Sequence, residues 1–234
     1  DAAIRFLPQQ LTALSLWIVA SQWNVKMFKV PSIDKVDQTF APLAQKRLES
    51  LAIPRGALGN LGSLAVKLMT FSKSLTPSFS QRELFLCAAD HGIAVNGVSQ
   101  YPQITDKILS CASHSGAVIN ALCKSQSCDL KLINCGLLNE TESGGINIIN
   151  MSMGLKGTKD FSKEAAMTAE QCQQALANGM NLLENSSAEL ILLGEMGIGN
   201  TSSATAMFAK LYELKAHECV GAGTGLDKQG IEHK

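Results

Sequence analysis

Net charge is the first thing this sequence lacks: Lys plus Arg number 20 and Asp plus Glu number 20. A chain without an excess of cations has no broad basic face for nucleic acid or an anionic membrane, so neither is expected as a partner. The balance leaves room for a small local phosphate site. Long apolar runs are also missing. The run at 11–20, Leu-Thr-Ala-Leu-Ser-Leu-Trp-Ile-Val-Ala, is far short of the roughly 20 residues that span a bilayer. It reads as an N-terminal helix packed on a neighbour, with the remnant of a targeting peptide as the alternative, since the chain opens on Asp1. An even cysteine count is absent as well. Seven cysteines, most in apolar surroundings, fit buried free thiols in a reducing, cytoplasmic setting better than a disulfide framework. Neither Cys111-x-x-His114 nor Cys123-x4-Cys128 repeats in the manner of a zinc module, so no metal is expected. No Gly-Lys-Ser/Thr P-loop, dinucleotide fingerprint, nucleophile elbow, internal repeat or low-complexity run is present.

What is present suits one large α/β domain with a small appendage. The chain has 234 residues, 46% of them hydrophobic, enough for a sizeable core. Strand signals fall at 82–89, 129–135 and 189–193, with a fourth beginning at Glu218-Cys219-Val220 and a short one at Ile146–Ile149. Helical patterns lie between them. One is capped at Thr105 and reaches Cys123, with Ser113-His114-Ser115-Gly116 as a break. Another follows the Thr168/Gln171 capping box and runs to about Asn185, with Cys172, Leu176, Met180 and Leu183 on one face. A third covers Ala204–Leu214. Strands separated by helices require crossovers, hence a mostly parallel sheet in a Rossmann-like, three-layer fold. A helical segment over 1–50 and an α/β core over 51–234 are expected.

Ligands of such sheets bind beyond the strand carboxyl ends. Asp90-His91-Gly92, Gly136, Gly194-Glu195 and Gly221–Gly225 each follow a strand signal, so polar groups and glycines converge on one edge. The richest segment is Gly194-Glu195-Met196-Gly197-Ile198-Gly199-Asn200-Thr201, placed between a strand and a helix. Glycines at Gly194, Gly197 and Gly199 would let a ligand approach bare backbone, and the helix start would favour a phosphate. A plain chain reversal has the same shape. Glu195 would repel a phosphate unless it faced a hydroxyl or a developing cation. Asp90 and His91 read either as hydrogen-bonding or acid–base groups, or as a cap and a structural histidine. By charge alone Lys234 is a solvated lysine or a phosphate contact.

Several segments, in order, resemble the nicotinate-nucleotide–dimethylbenzimidazole phosphoribosyltransferase family. They are Pro54-Arg55-Gly56-Ala57-Leu58-Gly59-Asn60-Leu61, Ala89-Asp90-His91-Gly92-Ile93 and Gly97-Val98-Ser99-Gln100-Tyr101-Pro102. Gly116–Asn120, Gly157-Thr158-Lys159-Asp160-Phe161, Ala166-Met167-Thr168, Gly194–Thr201 and Gly223-Thr224-Gly225-Leu226-Asp227 through Lys234 follow. The resemblance implies transfer of ribose 5-phosphate from nicotinate mononucleotide to 5,6-dimethylbenzimidazole in cobalamin lower-ligand assembly, without a cofactor, by a homodimer. It implies that Glu195 and Lys234 are catalytic. It also implies that Asp90, His91, Gly92, Ser99 and Tyr101 line the benzimidazole pocket, with Gly157, Thr158, Asn200, Thr201, Gly223 and Gly225 as further substrate contacts. Arg55, Ala57 and Asn60 depart from the family's Pro, Ser and Arg, and Ser115 stands where many members have glycine. The family continues well past the position of Lys234, and its principal general-base glutamate lies in that later part. The core is therefore expected to be incomplete at its C-terminal side, with a catalytically inactive nucleotide-binding fragment as the alternative reading.

Overall fold

The computed structural model describes residues 32–54 and 56–234. The apolar run at 11–20, read above as a helix, and Arg55 lie outside the described residues. Those that are described form two compact units, 32–80 and 81–234, so residues 51–80 group with the segment before them.

The first unit is a pair of helices. Helix α1 spans Ala41–Glu49, with a proline in its opening positions where no hydrogen-bond donor is needed. Helix α2 spans Asn60–Ser72 and closes on Lys73 in the left-handed conformation. Ala44 and Met69 are buried, and Gly62 leaves room for the Leu48 side chain. Lys73 pairs with Asp37 at 3.0 Å.

The second unit is the α/β core. Strands β1 (Arg82–Ala89), β2 (Asp129–Gly136), β3 (Ile148–Asn150) and β4 (Leu190–Met196) form a wholly parallel sheet in the order β3-β2-β1-β4. Helices cover both faces. They are α3 (Thr105–Ser113), α4 (Val118–Ser125), α5 (Ala169–Glu184), α6 (Asn200–Tyr212), α7 (Ala216–Cys219) and α8 (Lys228–His233). The long helical pattern after Thr105 does break where expected, at Ser115 with φ 64°, which separates α3 from α4. The Thr168/Gln171 box caps α5 reciprocally, at 3.2 and 2.8 Å.

Alternation in the strands decides the core. Leu86, Ala88 and Leu132 face α3, whose Leu109 and Ala112 close over them together with Leu137 just past β2. The opposite face carries Phe85, Cys87, Ile133 and, on β4, Glu195. Two expectations need correction. Residues 218–220 do not begin a strand: Glu218 accepts the Lys215 N–H at 3.2 Å, a capping contact that starts the short helix α7. Helix α6 starts at Asn200 rather than Ala204, because Gly199 at φ 92° turns the chain immediately before it. The face of α5 bearing Leu176 and Leu183 is largely exposed.

Leu109 is fully buried, so its truncation leaves a cavity. Leu109→Ala is expected to lower unfolding free energy by about 2–5 kcal/mol, read as a fall in the urea midpoint at unchanged slope.

Candidate active site

The site is built at the carboxyl ends of β1, β2 and β4. Asp90 follows β1 and is only 2% exposed. Its N–H donates to the Gly136 carbonyl at 2.8 Å, and its carbonyl accepts from the Thr158 N–H at 3.1 Å. Its Oδ2 accepts the Leu138 N–H at 2.9 Å, while Oδ1 has no partner. Asp90 therefore joins the end of β2 and the Gly157–Thr158 loop to the end of β1. Gly157 lies so close that a Cβ there would be 2.8 Å from the Asp90 carbonyl oxygen. Gly92 is under the same constraint, since its Cβ would fall 2.4 Å from the Lys159 carbonyl carbon. Its N–H reaches Thr158 Oγ1 at 3.3 Å. The same loop is fastened at Asn96, whose amide donates to Asp160 at 2.9 Å. The Ser162 hydroxyl and then that amide hold the Asp160 carboxyl well below its ordinary value.

The Gly-rich segment is divided differently from the sequence reading. Gly194 and Glu195 belong to β4, paired with Leu86 and Cys87, and only Gly197–Gly199 form the turn. Gly194 faces the Leu86 and Leu84 side chains, on the side opposite Glu195. Gly197 permits the turn to lie against β1: a Cβ there would be 2.0 Å from the Ala89 carbonyl oxygen. The turn is held from below by buried Thr105, whose hydroxyl accepts the Ile198 N–H at 3.2 Å. Thr105 is thus the first residue of α3 and a support for the turn, rather than the cap of its own helix. Glu195 is exposed and accepts the Asn200 amide at 2.7 and 2.5 Å. Asn200 in turn accepts the Thr201 N–H at 2.8 Å.

Two segments distant in sequence close the rim. Ser99 Oγ meets Thr224 Oγ1 at 3.1 Å, the Gln100 N–H donates to the same hydroxyl at 3.0 Å, and the Gln100 amide donates to the Gly225 carbonyl at 2.6 Å. Tyr101 is exposed beside them. Lys234 donates to Thr201 Oγ1 at 2.8 Å and to the Gly221 carbonyl at 3.4 Å. Burial pushes its ammonium below the ordinary lysine value. Gly223 admits this lysine, because a Cβ there would approach Nζ to 2.9 Å. The segment Asn200-Thr201 thereby touches a carboxylate on one side and an ammonium on the other.

The sequence reading missed Thr224, Gln100, Thr105's actual role and Ser203. Thr224 was visible inside the Gly221–Gly225 run but was masked by its glycines. Ser203 accepts or donates at 2.9 Å to Nδ1 of His91 from the first turn of α6. His91 is half-buried, and its ring lies 3.2 Å from where a Gly197 Cβ would be. Among the described residues, no cluster of three His, Cys, Asp or Glu is arranged to hold a metal ion.

A phosphoribosyltransferase family model matches residues 33–234. The chain belongs to this family. It is 37% identical over 207 residues to the nicotinate-nucleotide–dimethylbenzimidazole phosphoribosyltransferase of Variovorax paradoxus (strain S110), covering 88% of this chain and 59% of that one. It is 39% identical over 194 residues to the protein of the same name from Photobacterium profundum, covering 81% of this chain and 56% of that one. The crystal structure of CobT from Thermus thermophilus has the same fold, with a TM-score of 0.71 and 29% identity over 83% of this chain and 59% of that one. The chain thus spans a little under three fifths of these relatives.

Burial pushes His91 below its ordinary value of 6.5, while the Glu195 and Asp90 carboxylates pull the other way without prevailing. A histidine depressed in the folded state is neutral in both states above 6.5. As pH falls through that value the unfolded chain takes the proton first, so folding stability is lost on acidification. The urea midpoint is expected to drop between pH 7.5 and pH 5.5, and His91→Gln is expected to flatten that drop.

Proposed function

We propose that this chain carries the donor-binding and ribose-facing part of a transferase that moves ribose 5-phosphate from nicotinate mononucleotide to 5,6-dimethylbenzimidazole, giving α-ribazole 5′-phosphate and nicotinate. The observation that carries this reading is the placing of an exposed carboxylate, Glu195, one glycine turn before the N-terminus of the 13-residue helix α6. The reaction generates both charges such a place can serve. A benzimidazole nitrogen attacks the anomeric carbon as nicotinate departs, and the configuration inverts. Positive charge builds on the sugar, which a carboxylate stabilises more in the transition state than in the ground state. The 5-phosphate needs a positive partner, which the dipole at the N-terminus of α6 supplies. Lys234, held at Thr201 on that same first turn, adds a cation. Asp90, His91, Gly92, Ser99 and Tyr101 are assigned to the wall that receives the aromatic base, and Gly157 and Thr158 to the loop above it. Gly197, Gly199, Gly223 and Gly225 shape the backbone around the sugar phosphate, while Gly194, expected there too, packs on the Leu86 side of β4. The attacking base also gives up its N–H proton, and the group that takes it is assigned to the part of the relatives that this chain does not span.

The family resemblance further supports a homodimer and a cytoplasmic setting, with a helical N-terminal segment ahead of the α/β core. No described helix is long and apolar enough to cross a membrane. Light scattering at micromolar concentration measures the dimer directly.

Nicotinate release coupled to ribosylation of dimethylbenzimidazole is the deciding measurement. It is made on this chain and on a chimera joining it to the remaining segment of the Thermus thermophilus protein. The chimera is expected to release nicotinate only when the base is present. Glu195→Gln in that chimera is expected to cost roughly 100-fold or more in kcat with a smaller change in KM. A folded chimera that binds neither substrate, or a Glu195→Gln variant with unchanged kcat and KM, would overturn the assignment.

A further inference from the structure

Seven cysteines are free, and two of them lie on neighbouring strands under the candidate site. Cys87 lies on β1 opposite Ile133 of β2. Beyond that rung the register slips: Ala88 pairs with Asn134 but Ala89 pairs with Gly136, so one residue of β2 is left over. The extra residue is Cys135. A bulge re-aims the unpaired side chain, and the register sets Cys135 diagonally across the ladder from Cys87 on the adjacent strand, where the two thiols shift each other's titration in opposite directions. Both are half-buried, within reach of a small solute. The opposite neighbour of Cys87 is Glu195, on the same face of the sheet.

We propose that Cys87 and Cys135 form a reversible thiol–disulfide pair, closed by hydrogen peroxide, in the strand rung that carries Glu195. The pair is asymmetric. The hydrogen bond between the thiols favours the thiolate at Cys87 and pushes Cys135 upward, so one sulfur is prepared to attack and the other stays a thiol. The Cys87 thiolate attacks one peroxide oxygen, the O–O bond breaks, and protonated hydroxide leaves as water. The resulting sulfenic acid is attacked by the Cys135 sulfur, which releases the second water as the S–S bond forms. Two thiols and one peroxide give one disulfide and two waters; sulfur loses the two electrons that peroxide gains.

A second pair provides the internal contrast. Cys123 and Cys128 are also adjacent, joined by a Cys128 N–H to Cys123 carbonyl bond of 2.9 Å. There burial pushes the Cys123 thiol up, and its 5% exposure shields it. Cys123 therefore serves as an unreactive reference, and exposed Cys111 and Cys172 report on simple accessibility.

The reduced, folded 234-residue chain is titrated with hydrogen peroxide, blocked with N-ethylmaleimide and digested for mass spectrometry. A peptide linking Cys87 to Cys135 is expected before Cys123 is modified, and dithiothreitol is expected to release it. Cys135→Ser is expected to strand Cys87 as a sulfenic acid that dimedone captures. Cys87→Ser is expected to leave Cys135 open to maleimide. Recovery of Cys87 and Cys135 as separate maleimide adducts, at peroxide levels that oxidise Cys111 and Cys172, would overturn the proposal. So would a linkage that forms no faster in the folded chain than in urea.

Discussion

The hydrogen bonds that leave Asp90 hold three chain segments in one place. Its backbone N–H fixes the end of β2 to the end of β1, its carboxylate holds the Leu138 N–H, and its carbonyl anchors Thr158. Everything at the rim is referred to that point. The loop that returns over β1 can only be seated because Gly92 and Gly157 carry no Cβ. The Gly197–Gly199 turn lies against the last residue of β1 for the same reason. A buried carboxylate with one oxygen unpartnered is costly, and such groups persist where surrounding structure overdetermines them. Here the surrounding structure is the meeting of three strand ends.

Around that anchor the charged groups are sorted rather than paired. Glu195 and Lys234 are each bound to neighbouring residues of one helical turn, Asn200 and Thr201, and not to each other. Separation preserves both charges for a ligand. A salt bridge between them would have neutralised the site. Lys234 is already tuned by partial burial, and Glu195 keeps an open face. Such an arrangement suits a ligand bearing an anion at one end and a centre that becomes positive at the other, as the proposed transfer requires.

Much of this was legible in the residues. Apolar runs bounded by glycine and polar residues located β1, β2 and β4, because strand burial leaves a continuous hydrophobic signature. The Thr168/Gln171 box located α5. The strand-end rule gathered Asp90, Gly136 and Glu195 at one edge; the Gly221–Gly225 run reaches Ser99 and Gln100 after helix α7, not after the strand expected there. What escaped was decided by tertiary contact. Glu218-Cys219-Val220 has an apolar end compatible with a strand, yet a single side-chain cap makes it helical. The partition of residues 194–199 between strand and turn depends on ladder pairing with β1, which no local pattern encodes. Thr105 looked like a helix cap because threonine before a helical run usually is one; its hydroxyl is instead used by a turn 93 residues away. The bulge at Cys135 depends in the same way on register with a neighbouring strand.

The bonds from Ser99 and Gln100 to Thr224 and Gly225 span about 125 residues of sequence. Contacts of that separation carry a large loop-closure entropy and reward the chain only once the intervening strands have paired. The rim is therefore the part of the core whose closure costs most chain entropy. A site closed by such long-range tethers can open at its edge while the sheet beneath stays intact.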